Sequence, residues 1–151
     1  MNDASACSAA ISKARTHVER SLPGDAPTYL YWVRPAEITA SAGECLLQLG
    51  HADQAAILIG QGLAVFDTPF DRDRQYYLTY LAESYARPGE QRDLDAAAGT
   101  GMQALHLAEN QSSTLNVDRI RILARQLTPH ATLSAVRDFL DRTRVFTAGQ
   151  T

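Results

Sequence analysis

Lysine is almost absent from this 151-residue chain: of its 14 basic side chains only Lys13 is lysine and the rest are arginine, a bias that fits a high-GC genome. The basic residues are also outnumbered by 17 acidic ones, which leaves a formal net charge of −3. A surface that grips phosphate backbones by counterion release needs clustered positive charge, so this chain is not expected to contact DNA or RNA itself. Cysteine is scarce too. Cys7 and Cys45 lie far apart, form no CxxC pair and have no histidine cluster beside them, which excludes a zinc ribbon and a disulfide scaffold. Two free thiols buried on apolar helix faces are expected, in a reducing, cytoplasmic compartment. No apolar run approaches the roughly 18 residues of a membrane span, and the opening MNDASACSAA has no apolar core of a signal peptide.

Motifs that carry chemistry are missing as well. His17, His51, His106 and His130 are scattered over different segments without an HExxH spacing, and surface or capping roles are expected for them. There is no GxSxG element. Gly60-Gln61-Gly62 and Gly99-Thr100-Gly101 neither follow a strand nor open a helix, and no lysine accompanies them, so a phosphate loop is not expected. The composition therefore supports no catalytic residue, no metal ligand and no cofactor, and the expectation is a protein that is not an enzyme. Strand alternation bounded by turns is also lacking.

What is present is helical periodicity, broken at regular intervals. Ala10, Ile11, Ala14 and Val18 share one face of a helix over residues 1–22, which Leu22-Pro23-Gly24 stops. An aromatic loop, 23–34, follows. Pro35 stands where a first helical turn tolerates proline, and Ile38, Ala42, Cys45, Leu46 and Leu49 form a stripe ending at Gly50. A second helix carries Ile59, Leu63 and Phe66 on one side, completing a hairpin over 35–67. The next hairpin spans 71–109, with Asp71 as a candidate cap, and a third spans 113–146, interrupted at Thr128-Pro129. About seven antiparallel helices in a single domain follow from this pattern, an all-α chain.

Glycine punctuates these helices where it should weaken them, by roughly 0.5–1 kcal/mol each. A shift of the sequence by 39 positions aligns Glu44 with Glu83, Gly50 with Gly89, Gly60 with Gly99 and Gly62 with Gly101. Such coincidences at matching points of two helix-turn-helix units point to internal repetition. Gly43, Leu46, Gly50, Ala55, Ile59 and Gly62 resemble the tetratricopeptide pattern, in which small residues let paired helices cross closely. Gly43 and Gly62 fit those crossings; Gly60 and Gly99 would face the next hairpin. The second unit leaves its register open, because Leu94 falls where Ala55 calls for a small residue, whereas inserting three residues near Arg92 matches Ala97 and Ala104 instead. The third unit ends in a polar helix with Arg137, Asp138, Asp141, Arg142 and Arg144, as a terminal cap would.

The order of Trp32, Pro35-Ala36-Glu37, the run Ala42 to Gly50, Asp71-Arg72-Asp73-Arg74, Tyr77-Leu78, Leu81-Ala82 and Asp118-Arg119 through Pro129-His130 resembles the C-terminal tetratricopeptide-like region of actinobacterial XRE-type transcription regulators. The resemblance covers about residues 28–146. It implies a sensor or protein-interaction domain of a regulator whose DNA-reading helix-turn-helix lies outside this chain. A stand-alone adaptor for a peptide or protein, and a small-molecule-sensing helical domain, remain the alternatives; a homodimer is left open.

In a tetratricopeptide-like array the first helices of successive hairpins line the concave surface, where partners lie. That places Glu37, Ser41, Glu44 and Gln48 beside Tyr76, Tyr80, Glu83 and Arg87, with Glu44 and Glu83 side by side, either as a site for a cationic or hydrogen-bond-donating partner or as part of a solvated helix face. Trp32, with Tyr29 and Tyr31, is the other candidate contact. Asp118, Arg119, Arg121 and Arg125 form either a solvated face or a contact for an acidic partner.

Overall fold

The computed structural model describes residues 4–20, 35–66, 71–110 and 114–149. The aromatic loop with Tyr29, Tyr31 and Trp32, the helix stop expected at residues 22–24, the expected end of the first hairpin at residue 67, and the side chain of Val18 lie outside the described residues. The described chain is all helical, with no strand: α1 (Ala4–Arg20), α2 (Pro35–Gln48), α3 (Ala52–Ala64), α4 (Asp71–Ala86), α5 (Leu94–Glu109), α6 (Thr114–Leu127), a 3-10 turn at Thr128–His130, and α7 (Ser134–Ala148).

Local chemistry sets the boundaries. Proline opens α2, where its missing N–H costs no hydrogen bond. Gly50 closes that helix at φ +91°; its N–H reaches the Leu47 carbonyl at 3.0 Å while the His51 N–H reaches that of Leu46 at 2.9 Å. The second bond depends on the left-handed backbone that glycine adopts without strain. Asp93 caps α5 by accepting the Ala96 N–H at 2.9 Å, which satisfies one of the amides that an open helix start leaves unpaired.

Helices α2 and α3 pair, as do α4 and α5, and α6 and α7; α4 also packs on α2, α3 and α6, and α1 packs on α2. The α2–α3 crossing is close because of two glycines. A Cβ on Gly43 would stand 2.9 Å from the Ala55 carbonyl oxygen and the Ile59 nitrogen, and one on Gly62 would stand 2.8 Å from the Ala36 carbonyl oxygen. Those pairs run in opposite order along the two helices, which are therefore antiparallel. Gly60 and Gly99 correct the expectation that they face a neighbouring hairpin, because a Cβ on either would meet nothing within 4 Å.

Gly101 does not share the role of Gly62 despite their alignment. Its missing Cβ makes room for Leu123 and Phe139, at 2.8 and 2.9 Å from where that atom would lie, so it serves contact with α6 and α7. The helix starts decide the open register: α3 begins at Ala52 and α5 at Leu94, and Ala97 and Ala104 are both among the buried small residues of α5, with Leu94 only partly covered. Three inserted residues are nearly one helical turn, so the buried face is preserved.

Two apolar clusters result, one around Leu47, Ile59, Leu63 and Leu78, the other around Leu105, Ile120, Leu123 and Phe139, with Tyr85 touching both. Between them α4 is buried on most sides from Gln75 to Ser84. Its polar residues must then find partners inside the protein. Thr79 donates to the Tyr76 carbonyl at 2.6 Å and Ser84 to that of Tyr80 at 2.8 Å. Gln75 accepts from the Asn116 side chain at 2.6 Å.

Candidate functional site

Helices α1, α2, α4 and α6 border an open cavity of about 640 Å³. Ala10, Ile11 and Ala14 of α1 face Ile38, Ala42 and Cys45 of α2, and Leu115 supplies apolar wall from α6. The polar rim is Glu37 and Ser41 from α2, Arg72, Asp73, Tyr76 and Tyr77 from α4, and Asn116 from α6. A mostly apolar cavity with a few convergent polar groups is the usual form of a small-ligand site.

Helical spacing puts Glu37, Ser41 and Glu44 on one face of α2, and Tyr76 and Tyr80 on one face of α4. The structure joins them. The Ser41 hydroxyl and the Tyr77 hydroxyl are 2.7 Å apart. Tyr76 hydrogen-bonds through its hydroxyl to Glu44 at 2.9 Å and lies 3.2 Å from the Tyr80 hydroxyl. The Tyr76 ring meets those of Tyr77 and Tyr80 edge-on, with centroids 5.3 and 4.9 Å apart, a favoured quadrupole arrangement.

Burial pushes the Tyr77 phenol above its ordinary range; its Ser41 hydrogen bond opposes this, while the Glu44, Glu37 and Asp73 carboxylates push it further up. Burial raises Tyr76 as well, reinforced by its hydrogen bonds to Tyr80 and Glu44. Among the charged residues of the lining, Glu37 and Asp73 outnumber Arg72, and Glu44 lies beside them on Tyr76, a net negative charge that favours a neutral donor or a cation over an anion.

Glu83 does not stand on a solvated face. It is 5% exposed, and its carboxylate is shared between Arg87, at 2.7 Å, and Arg119. The guanidinium of Arg119 also stacks over the Tyr80 ring at 3.9 Å. The offset of 39 does put Glu83 where Glu44 stands in the preceding hairpin, but packing of α6 onto α4 supplies an arginine that the α2 pairing lacks. Glu83 and Arg87 are therefore internal partners, and removing Glu83 would disturb the fold. Gln48 is exposed and approaches Glu44 at 3.4 Å. Of the residues expected on the partner face, Glu37 and Tyr76 line the cavity, Glu44 and Tyr80 extend it through hydrogen bonds, and Trp32 lies outside the described residues.

The cysteines also depart from expectation, since Cys45 is exposed and Cys7 half-buried. They are neighbours across the α1–α2 contact: partial burial pushes the Cys45 thiol up, and a hydrogen bond with Cys7 adds to that. The α1 and α6 walls of the cavity, with Leu115 and Asn116, were invisible to the repeat pattern, which relates only successive hairpins. A further cavity of about 720 Å³ between α4, α5 and α7 contains none of the residues expected on the partner-binding face. Among the described residues no group of three histidines, cysteines or carboxylates could hold a metal ion, and no helix is long and apolar enough to cross a membrane. Comparison with family models, with curated proteins and with solved structures finds no match to this chain.

Proposed function

We propose that this chain is a non-enzymatic, tetratricopeptide-like sensor or interaction domain, and that its ligand enters the cavity between α1, α2, α4 and α6. The cavity itself is the observation that carries this reading, because it is mostly apolar, bordered by carboxylates and phenols, and formed by the first helices of three successive hairpins. Its charge favours an amphipathic ligand, or the apolar side chain of a peptide, that also presents an amine or another hydrogen-bond donor to Glu37, Asp73 and Glu44.

The resemblance to XRE-type regulators supports a role as the signal-receiving part of a cytoplasmic transcription regulator, with DNA read by another domain. The net charge of −3 agrees with a chain that leaves nucleic acid to that domain. Reading the complete gene separates a regulator from a free-standing adaptor.

Thermal unfolding with a series of primary alkylamines, and the alkyl alcohols and alkyl sulfonates of equal chain length, tests the cavity. A ligand at about 100 times its Kd stabilises by about 2.7 kcal/mol, or about 5–10 °C for a chain of this size. Amines should stabilise more than alcohols, and sulfonates least. Glu37→Gln with Asp73→Asn should remove the amine preference. Equal responses to all three series, unchanged in that variant, would refute the reading.

A further inference from the structure

The cap hairpin carries a second feature, independent of the cavity above. A crevice of about 440 Å³ between α6 and α7 is bordered by Arg121 and Arg125 from one helix and Arg144 from the other, with Ala124 and Leu140 as apolar lining. Asp118 meets Arg121 at 3.1 Å and Asp141 meets Arg144 at 2.7 Å, and neither aspartate lines the crevice. Arg125 meets no carboxylate among the described residues; its Nε reaches only the Arg121 carbonyl, at 3.4 Å. Two aspartates against three arginines leave one positive charge unanswered.

Three threonines complete the lining, and they differ. Thr128 donates to the Ala124 carbonyl at 2.8 Å and Thr147 to that of Thr143 at 2.9 Å. Thr143 is 5% exposed, yet its hydroxyl has no hydrogen-bond partner. A buried hydroxyl without a partner is costly and calls for an explanation. Arg125 lies in the last turn of α6, where a cation complements the helix dipole. The dipole accounts neither for Arg121 and Arg144 lining the same crevice nor for the unpartnered Thr143 hydroxyl in its wall.

We propose that this crevice binds an oxyanion, the phosphoryl or carboxylate group of a small acidic solute, held by Arg121, Arg125 and Arg144, with the Thr143 hydroxyl donating to it from the floor. Guanidinium forks match such groups in geometry as well as charge, and the apolar lining from Ala124 and Leu140 weakens competition from water. The site is opposite in sign to the carboxylate-bordered cavity, so the two would take different ligands.

Calorimetric titration of the whole chain with inorganic pyrophosphate, and separately with citrate, at constant ionic strength is the test. A saturable heat of unit stoichiometry is expected with pyrophosphate if the group is phosphoryl and with citrate if it is carboxylate. Arg125→Gln should weaken that binding by about tenfold or more, the usual loss for a hydrogen bond to a charged group. Thr143→Val keeps the shape of the floor and should weaken binding severalfold without lowering the melting temperature. A rise in melting temperature alone does not count, because phosphate-like salts stabilise folded proteins generally. Absence of saturable heat with both anions would overturn the proposal, as would equal affinity in wild type and in the combined Arg121→Gln, Arg125→Gln, Arg144→Gln variant.

Discussion

Glycine to alanine is the same chemical change at Gly43, Gly60 and Gly62, yet its effect on stability should differ in sign among them. At Gly60 the new methyl meets nothing within 4 Å, so the substitution only removes a helix-weakening residue and should stabilise by about 0.5–1 kcal/mol. At Gly43 the methyl would lie 2.5 Å from Ile59 Cγ1, which could swing aside, but also 2.9 Å from the Ala55 oxygen and the Ile59 nitrogen, which are backbone. Helix α3 as a whole would have to withdraw. Overpacking of this kind costs about 1–3 kcal/mol, and the helix-propensity gain of about 1 kcal/mol offsets only part of it. Gly62→Ala meets the Ala36 oxygen and the Ala40 nitrogen, at 2.8 and 2.9 Å, and should behave likewise. Urea and thermal unfolding followed by circular dichroism measure the outcome. At about 2–4 °C per kcal/mol for a chain of this length, Gly60→Ala should melt about 1–4 °C higher than wild type, and Gly43→Ala and Gly62→Ala several degrees lower. If all three rise together, the close α2–α3 crossing is refuted.

Removing Glu83 by alanine should cost about 3–5 kcal/mol in urea unfolding, because Arg119 is left buried and unpaired, whereas Glu44→Ala should cost about 1 kcal/mol; equal losses would mean that the Glu83 pairing contributes nothing special. Tyr76 holds its proton above the ordinary phenol value of 10.0, so its contribution to stability is complete below pH 10 and is lost as pH rises further, since the folded state then binds more protons than the unfolded one. Tyr76→Phe should flatten that decline, and an unaltered slope would show that Tyr76 ionises normally. Cys45, exposed, should react with a disulfide reagent in the native state, though more slowly than a free thiol because its raised pKa lowers the thiolate fraction. Reaction only after denaturation would contradict its placement.

The helices were legible because each is bounded by a local signal. Pro35, Gly50 and Pro129 act through their own backbone within a few residues, and the apolar stripes between them repeat at the helical period. Gly43 and Gly62 could be read as crossing points for the same reason, since they lie on the stripe itself. Long-range pairing could not be read in this way. An offset of 39 assigns equivalent positions, but Glu44 meets a tyrosine and Glu83 an arginine because each hairpin packs against a different successor. Gly101, which the uninterrupted offset pairs with Gly62, faces α6 and α7, whereas Gly62 faces its own hairpin partner. By itself the sequence determined the all-helical class and the α2–α3 crossing, which rest on local propensity and periodicity. Only the tertiary structure decided which acid is buried, which glycine is open, where the cavity under α1 lies and that Thr143 is left without a partner. Those depend on which side chains from distant segments arrive at the same place, and no local pattern encodes that arrival.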